Sequence, residues 1–177
     1  MSAVTIRTSR LESTRGDITQ QELEAIGNAA NPRLVRGGGV DGAIHRAGGP
    51  AIMAELKAKY PQGCPTGQAV ITGGGRLKAR YVLHAVGPVY SGKPKDAELL
   101  AGAYRACLAL CSQHGIRTVA FPSISTGAYR YPLEEAAPIA LRTVADYLTT
   151  HPEIALVRFV LFDPAAYAAY RQALEAI

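Results

Sequence analysis

The sequence NAANPRLVRGGGVDGAIHRAGG, residues Asn28–Gly49, decides the fold of this chain. It begins at the end of a short apolar run, passes through the three consecutive glycines Gly37–Gly39, and ends in an amphipathic helical pattern. Glycine has no Cβ, so its backbone can take a positive φ and approach a ligand closely. The first amides of a helix are unpaired and favour negative charge. This strand-to-helix junction therefore predicts a site for a phosphorylated ligand.

The length and composition are those of a globular protein. The chain has 177 residues and a formal charge of +5, and we expect one domain spanning residues 1–177. The charge is too diffuse to indicate nucleic acid by itself, but it suits an anionic small ligand. No apolar run approaches membrane-spanning length, and the first ten residues lack the apolar core of a signal peptide. We expect a cytoplasmic monomer that does not bind membranes.

Strand patterns alternate with helix patterns along the chain, which predicts a three-layer α/β/α sandwich over a mixed, largely parallel central sheet. Asp17 and Gln20 resemble a capping box for a short helix. The predicted strands are Val4–Arg10, Leu23–Ala30, Ala69–Thr72, Tyr81–Val86, Thr118–Phe121 and Ala155–Phe162. The predicted helices are Asp41–Lys59, Ala97–His114, Leu133–Thr150 and Ala165–Ala176.

Ligands of such sheets bind beyond the carboxyl ends of the strands, so the loops at those ends are the candidate sites. Besides the glycine loop, the segment Pro122–Tyr131, PSISTGAYRY, runs from a short apolar strand into a loop rich in Ser, Thr and Gly. Its amides can form an anion-binding nest. A plain turn with hydroxyls capping backbone groups explains Ser125-Thr126-Gly127 equally well when this segment is taken alone.

Two further motifs have simpler explanations. Gly37–Gly42 matches GxGxxG, but a dinucleotide-binding loop would follow the first strand tightly, and this one follows the second strand after six intervening residues. Cys107 and Cys111 have a spacing that zinc could use, but no His or Cys partners cluster around them. We interpret them as small packing residues, and we expect all three cysteines, Cys64 included, to be free thiols.

The two loops, in this order, resemble the macrodomain family. The resemblance covers nearly the whole chain, and its glycine block is most similar to the MacroD-type branch. It implies an ADP-ribose pocket and hydrolysis at the distal ribose, with O-acetyl-ADP-ribose or ADP-ribosylated Asp and Glu side chains as substrates. The motifs that carry it are Gly16–Thr19, Asn28–Asn31, Gly37–Gly49, Cys64–Gly67, His84–Pro88 and Pro122–Pro132.

The resemblance also implies roles for particular residues. Asp17 would accept the adenine amino group, and Phe162, at a strand terminus, would stack on adenine. Ser125–Tyr129 would wrap the diphosphate with amides, and Tyr129 would cover the distal ribose. Asn31 would bind ribose hydroxyls, whereas Asn28 either braces the loop or contacts ligand. The remaining expected ligand contacts are Ile18, Gly38, Gly39, Val40, Thr126, Gly127 and Ala128.

We expect Asp41 and Asn31 to carry the chemistry. Asp41 lies at a helix start, where the helix dipole stabilises the ionised carboxylate. A stabilised carboxylate is a weak base, so Asp41 would orient a water and the ribose while the substrate's own phosphate helps to take the proton. His45 and His84 are interpreted as structural. No metal-ligand cluster is visible in the sequence, and neither a metal nor a cofactor is expected.

Two positions depart from the family pattern. Gly27 replaces a β-branched residue, which would loosen the strand end, and Arg130 replaces a common glycine after Tyr129. Two alternative functions remain open: a module that reads ADP-ribosylated targets without turnover, and a phosphatase acting on ADP-ribose 1″-phosphate. The pair of Asn31 and Asp41 favours the hydrolase, because a reader needs the amide cradle but not this pair.

Overall fold

A mixed seven-stranded sheet forms the centre of the molecule in the computed structural model, which describes residues 1–177. The strand order is β1-β2-β7-β6-β3-β5-β4, and only the outer pairs β1–β2 and β4–β5 are antiparallel. The predicted largely parallel sheet is therefore confirmed. The strands are β1 Ser2–Ile6, β2 Ser9–Arg15, β3 Ala25–Ala30, β4 Ala69–Gly73, β5 Tyr81–Val86, β6 Thr118–Phe121 and β7 Leu156–Leu161.

Helices cover both faces of the sheet, which confirms the three-layer sandwich. A larger apolar core joins one face to α3–α5, and a smaller one joins the other face to α1, α2 and a short 3-10 turn at Ile18–Gln20. The helices are α1 Gly39–Gly48, α2 Ala51–Lys59, α3 Lys95–His114, α4 Leu133–Thr150 and α5 Pro164–Glu175. No helix is long and apolar enough to cross a membrane.

The amino-terminal strand prediction was wrong. The segment predicted as one strand, Val4–Arg10, contains a hairpin turn at Arg7 and Thr8, and Arg7 takes a left-handed φ of 54°. The second arm, β2, was missed because polar residues occupy it. Its Glu12 is nevertheless buried, since Arg10 and Arg158 pair with its carboxylate.

The helix predicted over Asp41–Lys59 is two helices. Gly49 has a φ of 80° and closes α1, and its amide donates to the His45 carbonyl. Pro50 then opens α2, since its fixed φ suits a helix start and it has no amide to leave unpaired. After the break, α2 packs against the edge strand β4, whereas α1 packs against β3.

Gly27 does not loosen β3. It is buried in the strand, in register with Leu83, and a Cβ built on it would lie 2.7 Å from Cδ1 of Phe121. The Phe121 ring therefore occupies the space that a β-branched residue would fill. Cys107 and Cys111 are likewise buried in the larger core as free thiols.

Candidate functional site

A cleft of about 320 Å³ lies beyond the carboxyl ends of β3 and β6. These strands are parallel neighbours, so the loops that follow them face each other across the cleft. Both loops singled out in the sequence contribute to its walls. The lining residues are Ala29, Ala30, Asn31, Gly37, Gly38, Gly39, Val40, Asp41, Gly87, Ser123, Ile124, Ser125, Gly127, Ala128 and Tyr129.

Asp41 occupies the first turn of α1, on the wall formed by the glycine loop. Its Oδ2 accepts a 2.6 Å hydrogen bond from the Gly37 amide, and its Oδ1 accepts a 2.7 Å bond from Asn28 Nδ2. His45 Nε2, one turn along the helix, lies 3.5 Å from Oδ1. Asp41 is only 5% exposed, so these three groups fix the orientation of its carboxylate, and the residue still lines the cleft.

Asp41 is held in its ionised form. Burial raises the pKa of its carboxyl, but hydrogen bonding from His45, the Gly37 amide and Asn28 outweighs burial and brings the pKa below its ordinary value. A carboxylate with a low pKa is a weak base and a strong hydrogen-bond acceptor. This arrangement suits orientation of a polar group rather than removal of a proton.

Asn28 lies behind the cleft wall and not in it. Its side chain has no exposed surface, and its Nδ2 donates to Asp41 and contacts His84 Nδ1 at 3.1 Å. Of the two roles considered for Asn28, these contacts support bracing. A direct ligand contact would require the wall to open.

Asn31 braces the loop that precedes the glycines. Its Nδ2 donates to the Val35 carbonyl at 2.7 Å, and its Oδ1 accepts from the Val35 amide at 3.2 Å. Both polar atoms are thus engaged within the loop, although the residue borders the cleft. An oxygen can accept a second hydrogen bond, so Asn31 retains one acceptor position for a ligand hydroxyl.

The opposite wall is a tight loop with two left-handed residues that are not glycine. Ser125 has a φ of 69° and Arg130 has a φ of 63°, and the Tyr131 amide donates to the Ser125 carbonyl. Thr126 does not line the cleft, since its hydroxyl is bonded to Ser123. A Cβ on Gly127 would meet no atom within 4 Å, so the path beside it is open.

Asp17 and Phe162 lie together at the end of the cleft region, outside its lining. Phe162 directly follows β7, and Asp17 follows β2 after Gly16. The two strands are parallel neighbours, and the Gly16 amide donates to the Leu161 carbonyl. The Asp17 carboxylate caps the 3-10 turn by accepting from Thr19. The Phe162 side chain is 76% exposed, which is unusual for an apolar ring. Ile18, the residue after Asp17, is buried.

Sequence reasoning missed several wall residues, among them Ser123, Ile124 and Gly87. Gly87 carries a detectable signal, because it belongs to the His84–Pro88 motif. A Cβ on Gly87 would collide with the Ser125 hydroxyl, so this close approach requires glycine. No group of three or more His, Cys, Asp or Glu side chains is arranged to hold a metal ion.

Fold and site together define an α/β domain with a cleft between two strand-to-helix loops. The Macro domain family matches residues 27–140, and the chain belongs to this family. A macro domain-containing protein of Caldanaerobacter subterraneus subsp. tengcongensis is 54% identical, with 94% of this chain and 96% of that protein covered. The O-acetyl-ADP-ribose deacetylase of Salmonella gallinarum is 50% identical, with 94% and 95% covered.

Solved structures agree with this assignment. The macrodomain of Oceanobacillus iheyensis with ADP superposes with a TM-score of 0.93 at 40% identity, covering 99% of this chain and 95% of that one. A variant of the same macrodomain was solved with ADPR, with a TM-score of 0.94, 40% identity, and 99% and 97% covered.

Proposed function

We propose that this protein binds ADP-ribose and hydrolyses ester-linked ADP-ribose, both in O-acetyl-ADP-ribose and on mono-ADP-ribosylated Asp and Glu side chains. The observation that carries the proposal is the Asp41 carboxylate, which is ionised and fixed by three groups where the two amide-rich loops meet. A relative at 50% identity bears the name O-acetyl-ADP-ribose deacetylase, and a structural neighbour was solved with ADPR.

Bound ADP-ribose would extend along the carboxyl ends of the strands. Adenine would stack on the exposed Phe162 ring, with Asp17 accepting its amino group and Ile18 forming the apolar floor. The diphosphate would lie beside Gly127, where the open path admits its oxygens to the loop amides. The distal ribose would then lie between the glycine loop and Tyr129, next to Asp41.

Hydrolysis would consume one water. Asp41 would orient this water and a ribose hydroxyl, with Asn31 offering its remaining acceptor position to the ribose. As the water adds, the ester C–O bond breaks, and the products are ADP-ribose, a carboxylate and a proton. Asp41 would stay ionised and orient the water, and a phosphate oxygen of the substrate would receive the proton first because the diphosphate lies beside the distal ribose.

The test compares binding and turnover in the same protein. Calorimetry should show ADP-ribose binding more tightly than AMP or NAD, and the ligand should raise the melting temperature because it binds the native state. Equal binding of all three would exclude the pocket assignment. Incubation with O-acetyl-ADP-ribose and with a glutamate-ADP-ribosylated peptide should release ADP-ribose.

The Asp41→Ala variant tests the role of Asp41 in hydrolysis, and the wild-type protein tests the two alternative functions, reader and phosphatase. Single-turnover hydrolysis should slow by about 10²–10⁴-fold, because an orienting group is lost. Most of the ADP-ribose affinity should remain, since amides and stacking supply it. Asp146→Ala, an exposed carboxylate on α4, is the matched control and should keep the wild-type rate. Binding without release by the wild type would identify a reader, and release only from ADP-ribose 1″-phosphate would identify a phosphatase.

A further inference from the structure

A series of three buried polar side chains, Asn28, His84 and Thr72, extends from Asp41 into the protein, away from the cleft. Asn28 and His84 have no exposed surface, and Thr72 is 2% exposed. None of the three lines the cleft. Burying polar groups costs free energy unless they are hydrogen-bonded, so a connected chain of them needs a structural or functional reason.

The register of the strands brings these three polar side chains together. Asn28 of β3 is the direct partner of His84 in β5, and Thr72 of β4 is the diagonal neighbour of His84 on the other side. Asn28 Nδ2 lies 3.1 Å from His84 Nδ1, and His84 Nε2 lies 2.9 Å from Thr72 Oγ1. The Thr72 hydroxyl is 2.9 Å from the Gly73 carbonyl.

The direction of each hydrogen bond in this series follows from the group at its end, the Gly73 carbonyl. The Gly73 carbonyl can only accept, so the Thr72 hydroxyl donates to it and accepts from His84 Nε2–H. A neutral imidazole with its proton on Nε2 must accept at Nδ1, which selects Asn28 Nδ2 as the donor. Burial keeps His84 neutral, since it lowers the pKa of the ring to about 3.

The orientation of the Asn28 side-chain amide follows from the same reasoning. Its nitrogen faces both His84 Nδ1 and Asp41 Oδ1, and a rotation of 180° would place its oxygen against the lone pairs of both. The Asn28 oxygen has no partner in the protein, so nothing else holds the amide in this orientation. His84 therefore acts on Asp41 through Asn28.

We infer that His84 is a positioning residue for Asp41, and that Thr72 supports it by fixing the tautomer of its ring. The inference rests on the proposed function for its effect on rate, but the geometry it predicts at Asp41 is independent of turnover. His84 touches neither the cleft nor a substrate. Its contribution is to keep one donor aimed at Asp41 Oδ1.

Three variants of His84 test this inference. An Asn at position 84 places a carbonyl oxygen close to where Nδ1 lies, whereas a Gln places its amide near Nε2. His84→Phe, which removes both atoms, should lower kcat by about 10- to 100-fold with little change in KM, because Asp41 is misplaced while the loop amides remain. His84→Asn should restore kcat to within about threefold of the wild type, and His84→Gln should not.

A second readout does not require activity. The pKa of the Asp41 carboxyl, followed by carbon-13 NMR, should rise in His84→Phe and in Thr72→Val, because the Asn28 donor is no longer held. It should stay at the wild-type value in His84→Asn. If the wild type binds ADP-ribose without turnover, the proposed function fails and this measurement still decides the inference.

The inference is overturned if His84→Phe leaves the Asp41 pKa unchanged, or if His84→Asn raises it as much as Phe does. Should His84→Phe fail to fold, Thr72→Val replaces it, since valine keeps the shape of threonine and exchanges only the hydroxyl for a methyl group. An unchanged Asp41 pKa in folded Thr72→Val would then overturn the inference.

Discussion

Asp41 should contribute to stability in a way that depends on pH, and Asp41→Ala measures this contribution. The substitution leaves the Gly37 amide and Asn28 Nδ2 without their acceptor, together with the weaker contact from His45. A buried donor that loses its partner costs about 1–3 kcal/mol. Water from the cleft can solvate the Gly37 amide, which leaves one unpaired N–H of Asn28, so we expect the free energy of unfolding to fall by about 1–3 kcal/mol at pH 7.

The sign of the pH dependence follows from the pKa of Asp41. Folding lowers it below the ordinary value of 3.8, so the unfolded chain binds the proton more tightly. The contribution is therefore complete above the unfolded-state pKa and is lost as the pH falls through the folded-state pKa. As Asp41 itself titrates, the difference between wild type and Asp41→Ala should shrink below pH 4.

Urea denaturation at a series of pH values from 7 to 3 makes the measurement, with the midpoint and slope fitted at each pH. Val40→Ala is the matched control, since it alters the adjacent residue of the same helical turn without removing a charge. Its loss of stability should not vary with pH. A loss below about 0.5 kcal/mol for Asp41→Ala at pH 7, or one that stays constant down to pH 3, would refute the reasoning.

Three further perturbations test other parts of the structure. Gly27→Val should destabilise the fold by about 1–3 kcal/mol, because Phe121 fills that space, and Phe121→Leu in the same chain should recover part of the loss in urea denaturation. Gly127→Glu should abolish ADP-ribose binding in calorimetry without a loss of melting temperature, because the added carboxylate enters open space and repels the diphosphate. Phe162→Ala should weaken ADP-ribose binding at least tenfold and leave stability nearly unchanged, since the ring is exposed.

The sequence predicts the position of the site because the two loops have unusual local chemistry. Three glycines before a helix and a Ser/Thr/Gly segment after a short strand are visible without any knowledge of pairing. Parallel strands then bring such loops to one edge of the sheet. The structure places them on opposite walls of one cleft, since β3 and β6 are neighbours.

Element boundaries were less predictable where tertiary contacts override local pattern. The polar strand β2 lies between β1 and β7, and its Glu12 is buried with Arg158, far along the chain, as its ion-pair partner. The break between α1 and α2 had a readable signal in Gly49-Pro50, but the apolar periodicity continues across it. Pattern alone favours one helix there, whereas the left-handed φ of Gly49 ends it.

The role of Asn28 could not be read from its own neighbourhood. The choice between bracing and ligand contact depends on which strand pairs with β3 and in which register, and His84 is 56 positions away along the chain. A shift of one residue would turn His84 to the other face of the sheet and leave Asn28 with Asp41 alone. Because one register brings Asn28, His84 and Thr72 into one series of hydrogen bonds, the same pairing that builds the sheet also orients the carboxylate in the cleft.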